Sequence, residues 1–414
     1  MASESSPGQE HEALDPKANA DLVVGVLADF DANGIAALCD RLRMLPGSLR
    51  IGVMSSDQTS PAPGGSQHPE TSSSVFFFPL NVAGAEVPGG SQALSLFAAY
   101  QSIFAASEKL GARGCCIVAS HLEPASPEWV GQLAQPLLEG NLDLLVPYYA
   151  RYKFAGLLNS AIISPLTRSL YGKRIHNPMG PDLGVSQKLF RRVLEAGQNA
   201  SADTIHPLAA LTPAAVCQNL NVSEVHAGSR LYPPIDWSNV SSLLPQILGP
   251  VFTDMERNAA CWQRIRGSVS VPTIGNPVFL PPDNEMLDIG AMLESFQLGN
   301  RELQEVWGLV LPPASLFDLR KISRLPAERF CVPDELWVRI VYDFALAHRL
   351  RTITRDHLLK SLTPLYLGWV ASYARELQAG TLTAEQRLER LSIAYESGKP
   401  YFVSRWRWPD RFSP

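Results

Sequence analysis

The sequence lacks the patterns that would mark it as a membrane, secreted or nucleic-acid-binding protein. No apolar run approaches the roughly 18 to 20 residues that a membrane-spanning helix needs, and Met1 to Lys17 has neither the basic start nor the apolar stretch of a signal peptide. Charged residues make up only 18% of the 414 residues, and the net charge is -5. A broad nucleic-acid surface needs clustered Lys and Arg side chains, so this balance argues against one. We therefore predict a cytoplasmic protein whose partners are small molecules or proteins.

Cysteine pairs with the spacing of metal or redox sites are also missing. None of the six cysteines forms a CxxC motif, and Cys115 and Cys116 lie together inside an apolar run. Buried free thiols are therefore predicted in preference to disulfides or metal ligands.

Apolar runs that alternate with helical patterns are present instead. After a polar arm at residues 1–20, which is predicted to be disordered, strands are predicted at 22–27, 49–54, 75–79, 115–118 and 142–149. The stretch 55–74 is rich in Ser, Pro and Gly and predicts a mobile loop. The alternation predicts an α/β domain over 21–275 with a mostly parallel sheet sandwiched by helices. Ligands of such sheets bind beyond the carboxyl ends of the strands, which would bring Asp29, Asp57 and His121 near one another.

Residues 280–414 have the pattern of an all-helical region. Apolar side chains recur at helical spacing from Trp337 onwards, and Thr383 with Gln386 fits a capping box. The end of the chain, YFVSRWRWPDRF at 401–412, combines Trp with Arg. Docking of this tail onto the domain through stacking is favoured over nucleic-acid binding.

The most informative stretch is Ile117 to Trp129, IVASHLEPASPEW, in which an apolar run ends in the turn Ala119-Ser120-His121. Five other segments of the chain are also informative, and they occur in this order: ADLVVGVLADFDANGI, LVPYYARYKFAGLLNSAIISPLTRSLYGKRIHNPMGPDLGVS, LGPVFTDMERNAACWQRIRGSVSVP, PDELWVRIVYDFALAHRL and LTPLYLGWVASY. With these segments the chain resembles, from about Asp21 to Trp408, the GT-A glycosyltransferases that make glucosylglycerate, mannosylglycerate and their phosphorylated precursors.

The resemblance implies the GT-A fold and hexose transfer from a nucleoside diphosphate sugar to D-glycerate or 3-phosphoglycerate. It also implies Mg2+ or Mn2+, because a hard cation held by carboxylates neutralises the leaving diphosphate. The D-x-D motif that holds the ion in the family is replaced here by Ala119-Ser120-His121. Ala119 has no ligand atom, and His121 suits Zn2+ or Mn2+ better than Mg2+. Tyr232 stands where the family has a metal-binding His, and Gln92 lies in a turn that lacks the family's Lys.

The resemblance carries roles over to particular residues. Asp182 and Asp203 match acidic positions near the sugar and the acceptor and are the predicted catalytic pair; an Asx turn or a helix cap is the alternative for each. His121 is the candidate metal ligand, although a lone His is more often structural.

Further residues are predicted to bind the nucleotide or the acceptor. The predicted nucleotide contacts are Asp29, Asp57, Gln92 and Ser120. The predicted acceptor contacts are Arg168, Lys173 and Arg174, which belong to a basic cluster suited to a carboxylate or a phosphate. Solvated surface charge is the alternative for the cluster.

Three functional hypotheses follow. The first is an active hexosyltransferase with an altered or metal-independent donor site. A homodimer is a possible assembly for it. The second is a folded but inactive relative that acts as a binding or regulatory subunit, since the residues at positions 119, 92 and 232 remove much of the expected electrostatic stabilisation. The third is a nucleotidyltransferase, which is disfavoured because LADFDANG offers no basic residue after the first strand.

Overall fold

The first half of the chain alternates strands and helices. The computed structural model describes residues 19–27, 32–55, 73–80, 92–119, 127–198, 206–229, 237–280 and 285–409. The elements up to residue 150 are β1 (Leu22–Val26), α1 (Ala32–Arg43), β2 (Arg50–Ser55), β3 (Ser74–Pro79), α2 (Gln92–Lys109), β4 (Gly114–Val118), α3 (Pro127–Leu138) and β5 (Leu144–Ala150). All five predicted strands are therefore confirmed, with their ends shifted by one or two residues.

The middle of the chain adds shorter strands and more helices. A π-helical turn at Asn159–Ile163 is followed by α4 (Ser164–Tyr171), β6 (Lys173–Arg174), β7 (Leu183–Ser186), α5 (Gln187–Gln198), α6 (Pro207–Cys217), β8 (Val222–Ser229), α7 (Val240–Arg257), α8 (Ala259–Trp262), β9 (Val269–Ser270) and β10 (Thr273–Ile274). The strands β6 and β9 form a small parallel sheet of their own.

The remaining eight strands form one sheet in the order β10-β8-β5-β7-β4-β1-β2-β3. The sheet is parallel except for β7, which pairs antiparallel with both β4 and β5. Helices pack on both faces of this sheet, and the predicted mostly parallel α/β architecture is confirmed.

The central strands are buried on both faces because each face meets its own apolar cluster. Val23 and Cys115 belong to one cluster, whereas Val24 and Cys116 belong to the other. The adjacent cysteines thus point to opposite faces, as neighbours on a strand must. Gly25 on β1 allows α2 to approach closely, since a Cβ there would lie 2.3 Å from the Ile103 side chain.

The prediction that all six cysteines are buried free thiols is wrong for three of them. Cys217 and Cys261 form a disulfide that joins the end of α6 to α8, and Cys331 is free but exposed. The disulfide joins residues 44 positions apart in sequence, so no local spacing indicates it. The buried free thiols are Cys39, Cys115 and Cys116.

The last third of the chain is helical, as predicted. It contains α9 (Ile289–Glu302), α10 (Gln304–Gly308), α11 (Pro313–Ser323), α12 (Asp334–Leu350), α13 (Arg355–Ser361), α14 (Thr363–Gln378) and α15 (Ala384–Arg407). The capping box of Thr383 and Gln386 opens α15, which confirms that prediction. No helix within the described ranges has the length and apolarity to cross a membrane.

The aromatic tail continues α15 and docks onto the α7–α8 region. The Trp406 ring lies 5.2 Å from the Trp262 ring, edge to face, and the Arg349 guanidinium covers Trp406 at 4.4 Å. The predicted docking of the tail by stacking is confirmed for this part of it.

The largest apolar cluster joins residues before and after residue 280. Leu166 and Leu248 lie in the same core as Trp337 and Trp369. The parts of the chain before and after the predicted boundary near residue 280 thus share one core, and the helical region packs directly on α4 and α7. The boundary itself stays a prediction.

Candidate functional site

The candidate site lies at the carboxyl ends of β4, β5 and β8. These three strands run in the same direction and end at Val118, Ala150 and Ser229. Open α/β sheets bind ligands at this edge. Ala119 is the last described residue before the segment 120–126.

Asp182 ties the ends of β4 and β5 together. It lies just before β7 and is fully buried. Its Oδ1 accepts a hydrogen bond of 2.7 Å from the backbone N–H of Ala119, and its Oδ2 accepts one from the Tyr149 hydroxyl. The carboxylate therefore has no surface for a sugar hydroxyl in this arrangement. These contacts give Asp182 a place in the scaffold of the site, and its predicted catalytic role stays a prediction.

The local sequence explains how Asp182 reaches this place. A Cβ on Gly180 would lie 2.3 Å from the Pro147 ring, so only glycine fits where the chain passes β5. Pro147 lacks an N–H, which is tolerated because the pairing of β5 with β7 covers only Leu144 and Leu145. The Pro147 carbonyl instead accepts a 3.1 Å hydrogen bond from the side chain of Asn177.

Three aromatic rings, those of Tyr148, His226 and His176, form a stack. Tyr148 on β5 and His226 on β8 are register partners, and their rings lie 4.9 Å apart. The His176 ring covers the Tyr148 ring at 3.8 Å with an interplanar angle of 6°. Burial raises the pKa of Tyr148, and Glu224 adds to that shift. Burial lowers the pKa of His226, so this imidazole is neutral at neutral pH.

A buried carboxylate holds the outer ring of the stack. Glu224 on β8 is only 2% exposed. Its Oε2 lies 2.9 Å from Nδ1 of His176, and its Oε1 accepts a 2.6 Å hydrogen bond from the His176 backbone N–H. The Asn159 side chain donates to the His176 carbonyl at 2.6 Å. The stack, Glu224 and Asn159 together make a preorganised polar surface.

Charged side chains of both signs surround the stack. Arg151 donates to Oδ1 of Asn177 at 3.4 Å. Glu385 and Glu389 lie in the first turns of α15. Burial raises the pKa of Tyr148, and the charge of Glu385 adds to that shift. The hydrogen bond from Arg168 is the largest cause of the lowered pKa of Glu389, and the charge of Arg174 contributes to it. The start of the C-terminal helix thus reaches the site, which no sequence pattern had indicated.

Two of the basic residues predicted to bind the acceptor lie at the end of α4. Gly172, with φ of +67°, ends α4, and the chain changes direction there before Lys173 and Arg174. Arg174 is exposed and donates to the Ser268 hydroxyl at 3.0 Å, and Lys173 is half-buried. Their role in acceptor binding stays a prediction.

Arg168 makes its contacts within the protein. Its side chain is 7% exposed and pairs with Glu389 at 2.6 Å and with Glu396 at 3.0 Å, both on α15. Because its guanidinium forms ion pairs with both carboxylates, Arg168 links α4 to α15. Its predicted role in acceptor binding stays a prediction.

The other predicted site residues have no described side chain. Five lie outside the described residues: Asp29, Asp57, Ser120, His121 and Asp203. Gln92 begins α2, so the structure places its backbone alone. Their roles stay predictions.

The described residues do not form a site for Mg2+ or Mn2+. Ala119 offers only a methyl group, and the Asp182 carboxylate already accepts two hydrogen bonds. Over the ranges that the structure describes, no three His, Cys, Asp or Glu side chains lie together as a metal site requires. No chemical step is therefore derived through a divalent ion.

Sequence reasoning did not select His176, Tyr148 or Glu224. One signal was available: Glu224 and His226 alternate with apolar residues in VSEVHAGS, on a strand with neighbours on both sides. A buried acid in such a strand needs a partner. The partner, His176, is 48 residues away in sequence.

Solved structures of glucosyl-3-phosphoglycerate synthase from Mycobacterium tuberculosis are similar to this chain. One, in complex with Mn2+, UDP and glucosyl-3-phosphoglycerate, is 16% identical over 62% of this chain and 87% of that chain, with a TM-score of 0.37. Another, with Mg2+ and UDP, is 17% identical over 61% and 85%, with a TM-score of 0.37. A further mycobacterial protein is 18% identical over 62% and 80%, with a TM-score of 0.37. No protein-family model and no curated protein matches the chain. Function is therefore inferred from the residues of this chain and their geometry.

Proposed function

We propose that this chain is a hexosyltransferase that uses a nucleoside diphosphate sugar and a small glycerate-type acceptor. The observation that carries the proposal is the preorganised polar surface at the carboxyl ends of β5 and β8, built from His176, Tyr148, His226 and Glu224. This edge is where open α/β sheets bind their ligands. Flat aromatic surfaces beside hydrogen-bonding groups suit sugars and their hydroxyl-bearing acceptors.

The two substrates would occupy different parts of the edge. The donor nucleotide would lie toward β1 and β4, near the predicted contacts Asp29, Asp57, Gln92 and Ser120. The acceptor would lie toward β5 and β8, where Arg151 and Arg174 supply positive charge for a carboxylate or a phosphate. In this arrangement Asp182 would lie between the donor part and the acceptor part of the edge, where it fixes the backbone of Ala119 by a hydrogen bond.

The leaving diphosphate would be stabilised by groups other than a carboxylate-bound ion. Ala119 supplies no ligand, so hydrogen-bond donors of the chain would have to meet the developing charge. We therefore expect transfer that continues when divalent ions are removed.

The experiment is a transfer assay with the full-length chain. UDP- and GDP-hexoses are incubated with D-glycerate or 3-phosphoglycerate, with Mg2+, with Mn2+ or with EDTA, and nucleoside diphosphate release and the glycosylated product are measured. Product in the EDTA sample is the expected result. Absence of nucleoside diphosphate release under every condition would overturn the proposal.

A second candidate is a protein that binds a nucleotide sugar without turning it over. The burial of Asp182 favours it, because the acidic residue that the family resemblance places near the sugar is occupied by Ala119 and Tyr149. Calorimetric titration with the same nucleotide sugars separates the candidates. Binding without release supports the second one.

A further inference from the structure

Glu224 and His176 form an imidazole–carboxylate pair to which the family resemblance assigns no role. Glu224 lies inside β8 between β5 and β10, and it is 2% exposed. Its carboxylate lies 2.9 Å from Nδ1 of His176. A buried carboxylate at this distance fixes the proton on Nδ1, so that the opposite ring nitrogen, Nε2, presents a lone pair.

We propose that His176, oriented by Glu224, accepts the proton of the acceptor hydroxyl during hexose transfer. The proposal rests on the proposed function and names a group within the same site. The acceptor oxygen forms its bond to the anomeric carbon, the bond from that carbon to the diphosphate breaks, and its electron pair leaves with the diphosphate. The hydroxyl proton passes to Nε2 of His176, which becomes an imidazolium stabilised by Glu224. Atoms and charge balance without a further reactant.

The His176 ring is held in place from several sides. The backbone N–H of His176 donates to Glu224 at 2.6 Å, and its carbonyl accepts from Asn159 at 2.6 Å. The face of the ring lies against Tyr148 at 3.8 Å. Positioning of this kind is what general-base catalysis requires, because the base must already lie within hydrogen-bond reach of the hydroxyl.

The ring is also open to a substrate. The His176 side chain is 47% exposed while its Glu224 partner is 2% exposed. No described residue donates to or accepts from Nε2, whereas Nδ1 has Glu224. The exposed edge of the ring thus carries the reactive nitrogen.

The test compares His176→Asn with the control His357→Asn. Asn at position 176 can place its amide nitrogen near the present place of Nδ1, and it lacks the lone pair of Nε2. His357 is an exposed histidine on α13, away from the sheet edge. We expect kcat of His176→Asn to fall about 100-fold or more, with KM for the nucleotide sugar nearly unchanged. An unchanged kcat would overturn the inference.

A second variant, Glu224→Gln, examines the positioning residue. It keeps the imidazole of His176 but removes the negative charge that stabilises the imidazolium. We expect kcat to fall less than in His176→Asn, with KM for both substrates nearly unchanged. A folded Glu224→Gln variant that keeps the wild-type kcat, or whose loss lies in KM alone, would remove Glu224 from the inference.

If no turnover is found, the proposed transferase function is wrong. A binding measurement then still tests whether His176 belongs to an acceptor site. Calorimetric titrations with 3-phosphoglycerate and with D-glycerate are carried out on wild type, His176→Asn and His357→Asn. We expect at least tenfold weaker acceptor binding in His176→Asn only, with nucleotide-sugar binding preserved. If wild type binds neither acid, or if His176→Asn binds them as wild type does, His176 is not an acceptor-site group. Melting curves of the variants establish that each one is folded.

Discussion

Oδ1 of Asp182 lies 2.7 Å from the backbone nitrogen of Ala119 and accepts its hydrogen bond. The contact fixes the residue that follows β4 and precedes the segment 120–126. Asp182 also accepts a hydrogen bond from the Tyr149 hydroxyl, so one buried carboxylate links the ends of β4 and β5. An acidic residue that resembles a substrate contact in sequence is therefore part of the scaffold that shapes the site.

Removal of this carboxylate should destabilise the fold. In Asp182→Ala, the Ala119 N–H and the Tyr149 hydroxyl lose a buried partner, and we expect the free energy of unfolding to fall by about 1–3 kcal/mol. Asp182→Asn should cost less, because its carbonyl can still accept from Ala119 while its amide donates to the Tyr149 oxygen. Urea denaturation measures both variants. The milder Tyr149→Phe serves as comparison, and an Asp182→Ala variant as stable as wild type would contradict the assigned role.

The sheet was predictable because its strands are short, apolar and buried on both faces. All five residues of β1 and of β4 are buried, so these strands appear in the sequence as continuous apolar runs rather than as alternating patterns. The site was not predictable to the same extent. Asp182 contacts Ala119 across 63 residues and Glu224 contacts His176 across 48. Local patterns in one sequence carry no information about partners so far apart.

The disulfide gives a second prediction. Cys217 and Cys261 close a loop across 44 positions, and the chain-entropy relation assigns about 3–4 kcal/mol to a loop of that size. Cys217→Ser with Cys261→Ser, or treatment with dithiothreitol, should therefore lower the melting temperature. Cys331→Ser, at an exposed free thiol, is the matched control and should leave it unchanged.

Thiol counting checks the covalent structure independently of stability. Denatured, non-reduced protein should react at the four free cysteines Cys39, Cys115, Cys116 and Cys331. Six reactive thiols would mean that the Cys217–Cys261 bond does not form. The prediction of free thiols rests on missing CxxC motifs, and such motifs say nothing about cysteines that the fold brings together.

Arg168 provides a test that separates scaffold from substrate binding. The side chain pairs with Glu389 and Glu396 on α15, and Glu396 is 24% exposed, so removal of the guanidinium leaves a partly buried charge without this partner. We expect Arg168→Met to lower the free energy of unfolding by about 1.5–3 kcal/mol, as hydrogen bonds to charged groups contribute. Lys173→Met, at a half-buried neighbouring cation that does not make these ion pairs, is the control for stability.

The same pair of variants addresses the predicted acceptor site. Calorimetry with 3-phosphoglycerate should show weaker binding in Lys173→Met, if the basic cluster contributes, and unchanged binding in folded Arg168→Met. A loss of acceptor binding in Arg168→Met without a loss of stability would support the acceptor role that the sequence predicts for Arg168.

Asp254 on α7 should make stability depend on pH. The side chain is buried and receives hydrogen bonds from Tyr171 at 3.4 Å and Asn258 at 3.0 Å. Burial raises its pKa to about 7, against the opposing effects of Asn258, Arg257 and Tyr171. In the unfolded chain an aspartate titrates near pH ~3.9. Between these values the folded state holds a proton that the unfolded state has released. The contribution of this group to stability is therefore fully present below about pH 4 and is lost as pH rises toward 7.

Asp254→Asn removes that titration and should flatten the profile. The free energy of unfolding of the variant should rise relative to that of wild type as pH increases from about 4 to about 7. The slope of this difference should be at most about 1.4 kcal/mol per pH unit. Asp343, whose pKa burial also raises to about 7, is present in both proteins and cancels in the difference. Glu302→Gln, a carboxyl-to-amide change at an exposed position of α9, is the control. Urea denaturation at several pH values measures the slopes, and parallel profiles for wild type and Asp254→Asn would show that the Asp254 carboxyl does not hold its proton in the fold.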